Sequence, residues 1–198
     1  MDADPVEIRV LGCLIEKQRT TPDVYPLSLN TLRLACNQST NRDPVVDYDE
    51  PTIRQALERL DRKRWARLAS GPGSRAVKFR HLLDEALGLD GAEISLLTVL
   101  MLRGPQTPGE LKQRAERLHR FESTPEVEQA LHRLAGRELV RKLERRPGQK
   151  EERWQQLLGG DGESAETTAQ PAGSLEERLA ALEREVAALA RRLDTMPS

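Results

Sequence analysis

Residues 6–18 set Ile8, Leu11, Leu14 and Ile15 at helical spacing and predict a first helix with one apolar face. Two prolines in TTPDVYP (20–26) end it. Ser28 is placed to cap a second helix, with Leu29, Leu32 and its Leu34–Cys36 end turned to the core. NQSTNRDP (37–44) is rich in turn formers and reads as a loop. Pro51 suits the first turn of a third helix, in which Ile53, Ala56, Leu57 and Leu60 form an i, i+3, i+4, i+7 stripe. WARLAS and RAVKFRHL then flank GPGS, a strand–turn–strand pattern.

The same order returns further along. QALERL (55–60) recurs as QALHRL (129–134), offset by 74 residues. EIRVLGCLIEK (7–17) resembles EISLLTVLMLR (93–103) at an offset of 86, and RAVKFRHLL (75–83) resembles KEERWQQLL (150–158) at 75. The fall in offset puts an insertion in the first copy, within residues 20–50. In the second copy the first helix covers 91–103. Thr107, Pro108 and Glu110 form a capping-box pattern for a second helix running to about 119. The third covers 124–136, capped by Thr124, with Val127, Ala130, Leu131 and Leu134 inward. ELVRKLE and EERWQQL make the hairpin. Self-similarity at this period predicts two domains of one fold and not a solenoid.

Three helices and a hairpin are the plan of a winged helix. The expected fold is therefore mainly α with small β-hairpins: two tandem winged-helix domains, each a helix-turn-helix plus wing, over 1–87 and 88–158. A linker at 159–173 leads to a C-terminal helix at 174–198. There Leu175, Leu179, Leu182, Val186, Leu189 and Leu193 recur at spacings 4, 3, 4, 3, 4, a heptad seam that predicts a homodimer, or alternatively a helix docked on its own chain.

Charge refines the picture. The chain is 32% charged with a net charge of −1. Segment by segment it is +1 over 1–87, +2 over 88–158 and −4 over 159–198. This is well short of a strongly basic nucleic-acid binder. Aromatics are 3%, so Leu, Val, Ile and Ala must build the cores. Cys13 and Cys36 sit in apolar patterns and are expected to be buried free thiols in a reducing cytoplasm. There is no signal-peptide pattern and no run of about 18 apolar residues, so a cytoplasmic protein without a membrane span is expected. His81, His119 and His132 fall in no metal-ligand spacing. With no phosphate-binding glycine loop and no nucleophile elbow either, neither an enzyme nor a cofactor is expected.

The third helices and the wings carry the side chains suited to double-stranded DNA. These are Arg54, Gln55, Arg59, Arg62 and Lys63, with Arg75 and Lys78 on the first wing. Their counterparts are Gln129, Arg133 and Arg137, with Arg145, Arg146 and Lys150 on the second wing. Arg and Gln can read base edges, whereas wing cations would hold phosphates. Glu58 and Glu128 on the same helices oppose this. A protein-interaction module without nucleic acid is the alternative. The 37–44 loop likewise admits two readings: Asn37, Asn41 and Asp43 holding it through backbone bonds, or Arg42 on a recognition surface. In RGPQTPGEL, capping explains all but Arg103 and Gln106.

LGCLIEKQRTTPDVYPLSLNTLRLACNQSTNRDPV (11–45) and LRGPQTPGELKQRAERLHRF (102–121) resemble the YceH-like family of uncharacterised bacterial proteins. The resemblance runs from about residue 5 to 158. It implies a tandem winged-helix fold and brings no activity, cofactor or catalytic residue with it. Phe79 and Trp154 stand where that resemblance suggests tyrosine.

Overall fold

The computed structural model describes residues 3–69, 77–145 and 151–159. Over them the chain is mainly helical with small antiparallel sheets. Each half begins with an Asp-x-x-Glu capping box that periodicity alone does not single out. Asp4 caps α1 (Pro5–Thr20) by accepting from the Glu7 amide, and the Glu7 carboxylate accepts from the Asp4 amide. Asp90 and Glu93 do the same for α5 (Gly91–Arg103). Both acids also sit at the positive end of the helix dipole.

These two helices bury unbroken runs, Glu7–Ile15 and Glu93–Leu102, not one stripe. The reason is that α1 and α5 pack on each other as well as on their own halves, so each is covered all round. Gly12 sets the distance of approach: a Cβ there would lie 2.9 Å from Leu102 Cδ2.

The second helices are α2 (Leu29–Cys36) and α6 (Pro108–Ala115). Ser28 caps the first as expected, its hydroxyl accepting from the Thr31 amide at 3.2 Å. Leu32, Ala35 and Cys36 are buried but Leu34 is 57% exposed, because consecutive helical residues rotate by about 100° and cannot all face inward. Thr107 and Glu110 form the expected capping box of α6. That helix stops at Ala115, not near 119, and the chain passes into a turn in which the Leu118 amide bonds the Ala115 carbonyl three residues back. The third helices are α3 (Glu50–Arg62) and α7 (Thr124–Gly136). Asp49 caps α3, and Ser123, one residue earlier than expected, caps α7 by accepting from the Glu126 amide. Leu57 and Leu131 are both buried, at 3% and 0% exposure, at matching points of their stripes.

In the first half β1 (Leu27–Ser28), β2 (Ala66–Leu68) and β3 (Lys78–His81) form an antiparallel sheet of order β1-β3-β2, with Leu27 opposite Phe79. A short α4 (Leu83–Leu87) follows. In the second half β4 (Val140–Leu143) pairs with β5 (Arg153–Gln156), and Gln106 bridges to Trp154. Leu27 and Gln106 thus hold the same place, just before the second helix and beside the aromatic of the last strand. This gives Gln106 the structural reason that capping does not. Arg64 and Glu138, at φ 59° and 56°, end the third helices alike, and the amides of Trp65 and Leu139 close back on Leu60 and Leu134. The insertion in the first copy is split. One part is the 3-10 turn Pro22–Val24 before β1; the other lies between α2 and α3.

In the 37–44 loop Asn37 and Arg42 take the structural reading, whereas the Asn41 side chain accepts from Arg103 instead of the backbone and Asp43 is held by its own amide. The Asn37 side chain donates to Tyr48 O at 2.8 Å and accepts from Tyr48 N at 2.9 Å. Arg42 is buried. Its guanidinium makes two bonds to the Glu16 carboxylate, 2.6 and 3.1 Å, and Nε donates to Ala35 O. Burial works most strongly against that charge, and the hydrogen bond to Glu16 together with the influence of Cys13 and Cys36 beside it lifts the pKa above the usual arginine value. Asp43 N bonds Leu102 O at 2.9 Å, which ties the loop to α5. Cys13 and Cys36 are buried and free. The Cys36 thiol is pushed well up by its hydrogen bond to Cys13 and then by burial.

Candidate nucleic-acid interface

On α3 the apolar stripe takes one side, so Arg54, Gln55, Glu58, Asp61 and Arg62 are exposed on the other. Arg59 and Lys63 lie at the edge of that face and turn toward α1. Arg59 Nη2 is 2.6 Å from Asp4 Oδ2, and Lys63 Nζ is 2.6 Å from Glu7 Oε1. The matching residues of α7 do the same to α5. Arg133 reaches Glu93 at 3.1 Å and Asp90 at 3.2 Å. Arg137 reaches Glu93 at 3.7 Å and bonds the Leu87 carbonyl. Each third helix therefore carries a clamp: an arginine in its last turn and a second cation four residues on, at its C-cap, grip the capping box of the first. Four of the expected DNA contacts are engaged inside the protein.

What remains differs between the halves. From α3 into β2 the first half exposes Arg54, Arg62, Arg64 and Arg67 against Glu58 and Asp61. Among the described residues none of these four arginines is within ion-pair distance of a carboxylate. Arg67 also stands directly opposite Arg80 across β2–β3, a like-charge pairing that costs energy in a sheet. Lys78 is half-buried on β3.

At the equivalent positions the second half has Glu128, Gly136, Glu138 and Arg141, with His132 and Ala135 in place of the two acids. Here α7, the start of α6 and the β4–β5 hairpin enclose a cavity of about 540 Å³. His132 lies edge-on to Trp154 with ring centroids 5.4 Å apart. Around them Glu128, Glu151 and Glu152 outnumber Lys142 and Arg145, and Lys142 is paired with Glu152. Gln129 and Arg145 are exposed.

Arg75, Arg146 and Lys150 lie outside the described residues, as does the whole seam from Leu175 to Leu193. Sequence reasoning missed Arg64 and Arg67. Laying the two copies over each other at the offset of 74 and comparing charge position by position would have found Arg64, which faces Glu138, but not Arg67, whose counterpart is Arg141. Among the described residues no cluster of His, Cys, Asp and Glu suits a metal ion, and no helix is long and apolar enough to cross a membrane.

Comparison with known proteins fixes the family. Residues 3–149 match the family described as "Protein of unknown function, DUF480". The chain is 48% identical over 187 residues to a "UPF0502 protein" of Opitutus terrae, covering 93% of this chain and 81% of that one. It is 49% identical over 189 residues to the "UPF0502 protein" of Citrifermentans bemidjiense, at 92% and 87% coverage. With the "UPF0502 protein YceH" of Salmonella newport the identity is 45% over 201 residues, at 96% and 94% coverage. The chain belongs to this YceH-like family, whose members are uncharacterised.

Proposed function

We propose that the chain is a tandem winged-helix protein, acting in the cytoplasm, that binds double-stranded DNA through its first half. The repeated order of three helices and a hairpin supports the winged-helix assignment, with α3 in the position that enters the major groove in DNA-binding members of that class. The observation that carries the reading is the charge split between equivalent positions. On α3 and its following turn stand Arg54, Arg62 and Arg64, which have no carboxylate partner among the described residues; at the equivalent positions of α7 and its turn stand Glu128, Gly136 and Glu138, while Arg67 on β2 has a cation, Arg141, as its counterpart. Arg54 and Gln55 suit base edges, and Arg62, Arg64 and Arg67 suit phosphates. The buried free thiols are in keeping with a reducing compartment.

Although the second half is +2 overall, Glu128, Glu151 and Glu152 outnumber Lys142 and Arg145 among the described residues around the His132–Trp154 cavity, which disfavours DNA at that place. A titration of the full chain with a mixed-sequence duplex, by fluorescence anisotropy at several salt concentrations, tests the reading. It requires that log Kobs fall linearly with log salt. A slope near zero moves the whole chain to the protein-interaction alternative. The proposal includes self-association through residues 174–198, on the strength of the leucine seam. Light scattering of the full chain and of residues 1–158 checks it: a dimer that becomes a monomer is expected, and a monomeric full chain at tens of micromolar contradicts it.

A further inference from the structure

We propose that the junction between the two halves is a binding site for a small molecule carrying a phosphate group and a hydroxyl or amine. The site is separate from the DNA-facing residues and does not depend on the DNA reading. A cavity of about 580 Å³ lies between the end of α1, the 37–44 loop, the end of α5 and α6. That is an ordinary size for a small-ligand site. Lys17, Arg103, Arg114 and Arg117 line it, and Glu16 is its one lining carboxylate. Glu16 is already bonded twice by the buried Arg42 and lies 3.6 Å from Lys17. Arg114 leans toward Glu110 at 3.6 Å. Among the described residues Arg103 and Arg117 have no carboxylate within ion-pair distance.

Such crowding of like charge favours an anion. The Arg103 guanidinium shows it: burial, and then Arg114 and Arg42 beside it, lower its pKa. Asn41, in the left-handed region at φ 61°, accepts a hydrogen bond from Arg103, so the loop of the first half positions a cation of the second. Val99 and Leu102 supply an apolar wall.

An adjoining recess of about 430 Å³ shares Asn41, Arg103 and Arg114 with this cavity and is lined also by Gln106. Gln106 is 3% exposed. Its NH2 group is used on the carbonyls of Arg103 and Pro105, at 3.0 and 2.9 Å, while its Oε1 is buried with no hydrogen-bond partner. A buried acceptor without a donor is costly. A phosphate on the arginines of the cavity answers the first feature, and a hydroxyl or amine entering the recess, which Gln106 lines with the carboxylates of Asp43 and Glu110, answers the second. Neither capping nor the clamp explains Arg103, and this site does.

The test is isothermal titration calorimetry of the full chain with ribose 5-phosphate, which carries hydroxyl donors, and with inorganic phosphate, at ionic strength held constant with chloride. Saturable one-to-one binding is expected, tighter for ribose 5-phosphate than for inorganic phosphate. Arg103→Ala/Arg117→Ala is expected to weaken both by about tenfold or more, and Gln106→Leu to remove the preference between them. Arg54→Ala/Arg62→Ala is expected to bind both ligands like the parent. Where the double variant fails to fold by circular dichroism, Lys17→Ala and Arg117→Gln taken singly carry the same expectation in smaller measure. No saturable binding at millimolar ligand, or equal binding by parent and cavity variants, overturns the proposal. Displacement of ribose 5-phosphate by a short duplex also overturns it, since the cavity would then be part of the nucleic-acid surface.

Discussion

The two halves of the chain are alike where they hold themselves together and unlike where they meet solvent. Asp4, Glu7, Arg59 and Lys63 in the first correspond to Asp90, Glu93, Arg133 and Arg137 in the second, and both sets make the same clamp. Arg54, Arg62 and Arg64 correspond to Glu128, Gly136 and Glu138. The two halves thus keep matching ion pairs while these outer positions differ in charge. Counting cations on a third helix overstates its reach for DNA unless the clamped ones are first removed. The clamp pairs themselves are half-exposed at the cationic end, so each contributes on the order of 1 kcal/mol or less.

The likeness breaks most readily in the core. Leu57→Ala and Leu131→Ala are each expected to cost on the order of 2–5 kcal/mol, measured by urea denaturation. The two losses should be similar. A loss confined to one half would mean that the stripes are not equivalent.

Next come the capping-box glutamates. Glu7 is 1% exposed and Glu93 5%, and each receives a backbone amide as well as the clamp cations. Replacing either by Ala leaves those donors unmatched and is expected to cost about 1–3 kcal/mol. Denaturation of Glu7→Ala and Glu93→Ala side by side checks whether the clamp matters equally in both halves.

A third expectation sharpens the difference. His81 on β3 is buried, with Nε2 2.6 Å from Gln18 Oε1, and its counterpart on β5 is Gln156. Burial lowers the His81 pKa to about 4; Asp84 opposes this, and Arg19 and Arg80 add to the lowering. A folded-state pKa below the ordinary 6.5 means that the unfolded chain binds more protons between those values. The stabilisation is complete above pH 6.5 and disappears as pH falls toward 4. The slope in that window is at most about 1.4 kcal/mol per pH unit from this group. His81→Gln, which copies the second half, is expected to flatten that part of the stability–pH curve. An unchanged curve would show that His81 does not titrate abnormally.

How much of this is legible in the sequence depends on the range of the interaction. The caps at Ser28 and Thr107, the α3 and α7 stripes and the hairpin strands follow from neighbours a few residues apart, and the structure has them where the pattern puts them. The offset of 75 also aligns Phe79 with Trp154 and Leu83 with Leu158, which hold matching places. The clamp is not legible, because Arg59 and Asp4 are 55 positions apart and nothing local marks them as partners. Arg42 looks like a loop residue open to solvent; only its pairing with Glu16, 26 positions away, makes it an anchor. The burial of α1 and α5 on all sides depends on their packing against each other, which no helical period encodes. Gln106 stands out in the sequence only as a residue that capping does not explain; its bridge to Trp154 joins distant segments and nothing local marks it.

The smallest expected effect in free energy bears on the central claim, that DNA binding belongs to the first half. The measurement is the salt dependence of duplex binding by the parent, by Arg54→Ala/Arg62→Ala, and by the second-half variant Arg145→Ala. The first variant is expected to bind more weakly and to lower the slope of log Kobs against log salt by roughly 0.9 for each phosphate it no longer neutralises, while the second matches the parent. An unchanged slope in Arg54→Ala/Arg62→Ala, or a reduced one in Arg145→Ala, would contradict the claim.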